Sequence, residues 1–248
     1  MITLTSDFGS PYPASMKGVI LDVCDARIVD IAHDFPRQDV RTAAFWLREV
    51  LPYYPSAVHC AVIDPGVGTD RAALVVRAGD HALVGPDNGL LLPAARSLAD
   101  AVEVFEWKYD DPGSETFHGR DVFAPAAAAV HETGVDAIES FDRATPIEDY
   151  IDLSFPDPEV REKEASGEVL VIDGFGNAIT NISALDGLGE SVMVNGDAVP
   201  VERSYAAREA GTRLVTVGSH GNIELAVNQG RGDDAFSVGV GDDVRLEW

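Results

Sequence analysis

The sequence predicts an α/β protein in two parts: an N-terminal α/β domain with a largely parallel (mixed) sheet, and a C-terminal antiparallel β-barrel. Three observations carry this. Up to about residue 145, short apolar runs alternate with helix-like segments. After residue 166 the texture changes to short β-rich runs broken by glycine and asparagine. Between them, residues 145–166, "TPIEDYIDLSFPDPEVREKEAS", carry three prolines and a charged cluster with no sustained period, the signature of a linker. The expected boundaries are an α/β domain over 1–150, a linker over 151–165 and a barrel domain over 166–248.

In order along the first part, "MITLTSDF" reads as a strand, 14–24 as a helix, "RIVDIAH" as a strand and the amphipathic 39–51 as a helix. "AVHCAVIDP", "AALVVRA" and "HALVGPD" then read as strands, and the alanine-rich 122–133 as a helix. Strands separated by helices of this length favour a parallel sheet. In the second part the strand runs are "GEVLVID", "NAITNIS", "SVMVNGDAVPVE", "TRLVTVGS", "NIELAVN" and "DDVRLEW". Within "VMVNGDAV", Asn195-Gly196 between β-branched runs is a hairpin signal. No internal repeat or low-complexity segment interrupts the pattern.

Composition limits what such a protein binds. Hydrophobic residues make up 46% of 248, enough for one large core or two modest ones. The formal charge of -24 opposes association with nucleic acid or anionic membranes, and both are excluded as partners. The acid is spread along the whole chain, and only Lys17, Lys108 and Lys163 among the 18 basic residues are lysine. That points to a halophilic protein of a high-salt cytoplasm, whose folding depends on screening of its own charge. The "MITLTSDFG" start has no basic leader, and no window approaches the roughly 20 apolar residues of a membrane span. A cytoplasmic protein is expected. Cys24 and Cys60 lie in apolar surroundings and read as buried free thiols.

In open α/β sheets ligands sit beyond the carboxyl ends of the strands. Asp7 in "TLTSDFG", Asp64 in "AVIDPGVGTDR", Asp87 and Asn88 in "VGPDNGL" and His118 in "TFHGRD" all fall where predicted strands or loops end. Each also has a bland reading. Asp7 could be a turn aspartate, "PDNG" a plain turn, and Arg120 and Asp121 a helix flank. The glycines of "DPGVG" let backbone come close to a ligand. A metal site is the rival reading, but HxH, HExxH and DxDxD spacings are missing, and His33, His59, His81, His131 and His220 are scattered singly. No metal is expected.

Eight motifs occur in register: "TLTSDFG", "MKGVI", "IVDIAHDF", "DPGVGTDR", "PDNGLL", "TFHGRDVFAP", "IDGFGNAITNI" and "GSHGNIELAVNQG". Over nearly its whole length the chain resembles the S-adenosyl-L-methionine (SAM) hydroxide adenosyltransferases, adenosine-forming hydrolases related to fluorinase and chlorinase. The resemblance implies hydrolysis of SAM to adenosine and L-methionine without a cofactor. It also implies a homotrimer whose site is shared between the N-terminal domain of one subunit and the C-terminal domain of its neighbour. The family's Asp-Arg-His set maps onto Asp64, Arg71 and His118. The halide-using relatives lack it, so water is the expected nucleophile rather than a halide.

Carried over residue by residue, the resemblance places Asp7 on the ribose hydroxyls with Phe8 beside it. Asp173 meets the methionine ammonium, Asn177 contacts the nucleoside and Tyr205 stacks on adenine. Ser219 meets the methionine carboxylate, although His220 stands beside it where the halide-using relatives carry arginine. Asn228 lies in the segment reading the adenine edge. Phe8, Phe175 and Tyr205 are expected to wall a dry pocket. The chemistry suits these types. A sulfonium leaves as a neutral thioether and needs no acid, so the task is to orient a water and remove its proton. His118 is expected to act as base, or else to pass that role to Asp64. A binding module that senses SAM or a nucleoside, with only incidental turnover, is the alternative from another class.

Overall fold

Short strands rich in β-branched residues lie buried in the parallel half of the first sheet. In the computed structural model, which describes every residue except Asp186, these are β1 (Ile2–Ser6) and, after α1 (Tyr12–Val23), β2 (Ile28–Ala32) and α2 (Val40–Val50), β3 (Val58–Val62). β1 and β3 are buried along their whole length, as befits strands covered on both faces. The chain divides into two units, Met1–Ser154 and Phe155–Trp248.

The first unit continues through β4 (Ala73–Ala78), β5 (His81–Pro86), α3 (Leu92–Leu98) and β6 (Val102–Trp107). A π-helical turn (Gly119–Phe123), α4 (Ala124–Thr133) and β7 (Ala144–Pro146) complete it. Its seven strands lie in the order β2-β1-β3-β5-β4-β6-β7. β2, β1, β3 and β5 are parallel neighbours, whereas β4 runs antiparallel to β5 and β6, and β7 antiparallel to β6. The sheet is therefore mixed, half parallel and half antiparallel. The cause is local: only Gly79 and Asp80 separate β4 from β5, and a two-residue connection can join only antiparallel strands. Gly79 takes the left-handed conformation (φ 57°) that this turn needs. α3, β6 and β7 are elements that the sequence reading lacks. β6 is "VEVFEW", whose glutamates break the apolar run.

The helices form for identifiable reasons. Asp39 caps α2, its carboxylate accepting from the Thr42 N–H (2.9 Å) and hydroxyl (2.6 Å), while Ala43, Ala44, Phe45 and Leu47 face inward. α4 buries four alanines and Val130, and these small side chains let it lie close to α1 and the sheet. Gly134 ends it with φ 96°. Cys24 and Cys60 are free and buried, and burial pushes the Cys60 thiol up to about 12.

The second unit is β8 (Glu159–Arg161), β9 (Glu164–Ile172), β10 (Ala178–Ser183), β11 (Ser191–Val194), β12 (Asp197–Pro200), β13 (Arg213–Val217), β14 (Asn222–Val227), α5 (Gly232–Phe236) and β15 (Asp243–Glu247). The end of β7, all of β8 and the start of β9 thus fall in the stretch 145–166. The order β12-β11-β15-β9-β10-β14-β13 is antiparallel throughout, with β8 added on β9. The two ends approach closure, because the Glu202 N–H donates to the Val215 carbonyl (2.9 Å) just beyond β12. The barrel is nearly closed, around a core that includes Val169, Ile182, Leu225, Val244 and Leu246. The Asn195-Gly196 hairpin forms with both residues left-handed (φ 49° and 94°), as its turn type demands. Among the described residues no helix is long and apolar enough to cross a membrane.

Candidate active site

The register of the first sheet gathers the residues that the motifs single out. Ser6 of β1 pairs with Val62 of β3, so Asp7-Phe8 and Ile63-Asp64 leave the sheet side by side at its carboxyl rim. Arg71 reaches the same rim by a different route. Because β4 is antiparallel, Ala73 at its start pairs with Pro86 at the end of β5, and the preceding Arg71 stands beside Asp64. Gly66 assists, since a Cβ there would press on Thr69 Oγ1 and the Arg71 chain (3.3 and 3.4 Å). His118 arrives from the loop that enters the π-helical turn.

The three make one hydrogen-bonded set. Arg71 grips Asp64 with two bonds, Nε to Oδ1 (2.9 Å) and Nη2 to Oδ2 (2.5 Å), and both side chains are buried. Nη2 also donates to His118 Nδ1 at 2.9 Å. The guanidinium lies over the Phe123 ring, 4.9 Å from its centroid. Burial, reinforced by the Arg71 charge, holds the His118 imidazole below its ordinary range. An arginine N–H can only donate, so Nδ1 accepts and the neutral ring carries its proton on Nε2. In this arrangement His118 offers a donor at Nε2, not the free lone pair that a base requires.

Asp64 and His118 open onto a cavity of about 480 Å³, walled by Phe8, Tyr12, Val62 and Phe117 among others. That volume falls in the usual range of small-molecule sites, about 300–1,000 Å³. The aromatic wall is built edge to face, Phe117 meeting Phe8 at 5.8 Å and Tyr12 at 5.5 Å. Gly119 makes room for it, because a Cβ would stand 3.0 Å from the Phe8 ring. Asp7 is buried at the rim, with Oδ2 accepting the Gln38 N–H (2.7 Å). Gln38 holds a left-handed φ of 63°, a strained conformation for a residue with a side chain. Behind Asp7, His33 bonds Ser6 Oγ (2.8 Å) and Asp30 (3.0 Å), and its carbonyl accepts the Gly9 N–H.

Other polar residues of this rim serve the chain itself. Asn88 donates to the Ile63 carbonyl and accepts the Leu90 N–H, as a turn asparagine does. Asp87 accepts the Ile151 N–H. Arg120 and Asp121 pair with each other in two bonds, and their N–H groups reach the Phe117 carbonyl at the start of the turn.

A second cluster lies in the second unit. Asp173 Oδ1 accepts the N–H groups of Phe175 (2.8 Å) and Asn177 (2.9 Å), and Oδ2 accepts the Asn177 amide (2.9 Å). That amide stands 3.5 Å from the Tyr205 hydroxyl, which donates to Glu224 Oε2 at 2.7 Å. Asp173, Asn177 and Tyr205 are thus brought together. Phe175, at the turn tip, is 82% exposed. Ser219 is exposed, 3.4 Å from His220 Nε2. The Asn228 amide donates to the Arg208 carbonyl and its own backbone carbonyl accepts the Gly211 N–H, tethering the loop that carries Tyr205. Glu224 is the member that sequence reasoning missed. Among the described residues no group of three or more His, Cys, Asp or Glu is placed to hold a metal ion.

A mixed α/β unit with a buried Asp–Arg–His set on its carboxyl rim, joined to a β-barrel unit with a carboxylate cluster, defines a small class of proteins. The chain matches the SAM hydroxide adenosyltransferase N-terminal domain over residues 2–141 and the corresponding C-terminal domain over 167–245, and it belongs to that family. It is 40% identical over 260 residues to a Salinispora tropica protein named (R)-S-adenosyl-L-methionine hydrolase, covering 99% of this chain and 97% of that one. A Thermus thermophilus protein of the same name is 40% identical over 259 residues, covering 97% of each. Among solved structures, a conserved protein of Thermotoga maritima superposes with a TM-score of 0.83 at 32% identity, covering all of both chains.

Proposed function

We propose that this protein hydrolyses SAM to adenosine and L-methionine, with an in-line attack of water on C5'. Family membership and the named relatives support the reaction, and the observation that carries it is the Asp64–Arg71–His118 set, whose Asp64 and His118 face the cavity with Arg71 behind them. The new bond is O–C5'. As it forms, the C5'–S bond breaks, its electron pair stays on sulfur, and methionine leaves as a neutral thioether while one water proton is released. His118 Nε2–H donates toward the water oxygen, stabilising developing hydroxide, while Arg71 fixes the Asp64 carboxylate and the His118 tautomer. Asp64 takes the proton. The aromatic wall keeps the site dry, which favours a step that brings hydroxide and sulfonium together and cancels their charges.

Asp7 and Phe8 hold the ribose. Asp173, Asn177, Phe175 and Tyr205 receive the rest of the substrate, with Ser219 on the carboxylate and Asn228 near adenine. We place the working site in a homotrimer, between the first unit of one subunit and the second unit of its neighbour, with no metal or other cofactor and in the cytoplasm. The test is incubation with SAM, chelator and multimolar salt in ¹⁸O-labelled water. Adenosine labelled at its 5'-hydroxyl, equimolar with methionine, is expected. No adenosine, a chelator-sensitive rate, or 5'-chloroadenosine in chloride would overturn the proposal.

A further inference from the structure

Glu224 sits where a strand should show its side chain to solvent. Its neighbours Ile223 and Leu225 point into the barrel core, so alternation turns Glu224 to the outer face. Yet it is only 4% exposed. A carboxyl group buried on the outside of a sheet must be covered by something that needs it. Two features supply the cover. Tyr205 lays its hydroxyl on Oε2 at 2.7 Å while keeping 39% of its own surface exposed. On the other side, Gly218 has no side chain, and a Cβ there would overlap the carboxyl, 2.5 Å from Cδ and 3.0 Å from Cγ. Gly218 has no left-handed conformation to explain it. It opens the space that the Glu224 carboxyl occupies, directly before Ser219 and His220.

Resting on the SAM reading above, we propose that Glu224 is the positioning residue of the second unit's substrate cluster: it holds the Tyr205 ring and, through Asn177, the Asp173 turn in the geometry that receives substrate. Tyr205 and Gly218, from two separate segments, meet at this one side chain, and the 173–177 turn is linked to it through the Tyr205 hydroxyl. Burial raises the Glu224 pKa, with the Asp173 charge adding to the rise. The group is an acceptor that water does not reach.

The test is a set of variants read as KM against kcat for SAM, with the melting temperature followed in parallel. Glu224→Ala is expected to raise KM about ten- to a hundredfold, the scale of a hydrogen bond to a charged group, with little change in kcat. Glu224→Gln keeps an acceptor for the Tyr205 hydroxyl and restores most of the loss. Gly218→Ala pushes the carboxyl aside and copies Glu224→Ala, but adds nothing in the Glu224→Ala background, because both act through one group. The proposal is overturned if folded Glu224→Ala or Gly218→Ala keeps its KM while only the melting temperature falls. It is equally overturned if Gln does no better than Ala. Should Glu224→Ala not fold, Gly218→Ala and Glu224→Gln decide. If wild-type protein does not hydrolyse SAM, the reaction is wrong, and equilibrium binding of SAM to the same variants judges Glu224. Wild-type protein that binds no SAM overturns both.

Discussion

The two polar clusters solve opposite electrostatic problems. In the first unit the charges cancel at contact distance: Asp64 is gripped by Arg71, and His118 is held neutral by burial and by that same guanidinium. In the second unit Asp173 and Glu224 are met by neutral donors, namely backbone N–H groups, the Asn177 amide and the Tyr205 hydroxyl. Neutral donors orient a carboxylate without cancelling its charge. The first arrangement suits work on a neutral water, and the second suits capture of a cationic group such as an α-ammonium. The difference teaches that hydrogen-bond satisfaction and charge neutralisation are separate properties of a site.

The comparison breaks most readily at Arg71. Arg71→Met leaves Asp64 buried without its partner, so kcat should fall about 10³-fold and the fold should lose about 3–5 kcal/mol. Single-turnover rates and denaturant titration measure the two losses. A variant that keeps its stability would show the pair to be no buried unit.

His118 sharpens the comparison. His118→Ala should lower kcat about 10²-fold, whereas His118→Gln, which retains an N–H donor, should recover about tenfold of that. A base would make Gln as poor as Ala. The pH profile gives an independent reading. Protonation would set an N–H on Nδ1 against Arg71, so the imidazolium is disfavoured. Activity should therefore persist as pH falls through about 6.5, the ordinary histidine value, and decline only below it. An acid limb at or above 6.5 contradicts this.

The smallest effect is expected at Asp173. Asp173→Asn keeps the Oδ1 acceptor for the Phe175 and Asn177 N–H groups but removes the charge and the acceptor of the Asn177 amide, and KM for SAM should rise about tenfold while kcat stays within about threefold. A loss confined to kcat would dissolve the contrast between the two clusters.

Much of this was readable along the chain. The short β-branched segments of β1 and β3 and the Asn195-Gly196 turn required only residue-level chemistry, because strand propensity and left-handed turns are local preferences. Asp64, Arg71 and His118 were legible as members of ordered motifs. Glu224 was not, since "NIELAV" marks it only as an outward-facing strand residue, and its burial depends on Tyr205 and Gly218, both distant in sequence or paired through a turn. The antiparallel half of the first sheet was hidden as well, by the glutamates of β6.

The sequence by itself determined the two-part plan and most elements of each part, because periodicity and turn chemistry act over a few neighbouring positions, and its ordered motifs marked the reactive residue types. Only the tertiary structure decided that Arg71 reaches Asp64 and claims the Nδ1 of His118. That follows from the reversal of β4 in the sheet, a pairing choice that places the start of one strand beside the ends of others. The tautomer of a histidine, and with it the chemistry the ring can perform, is set by which donor stands beside it in space.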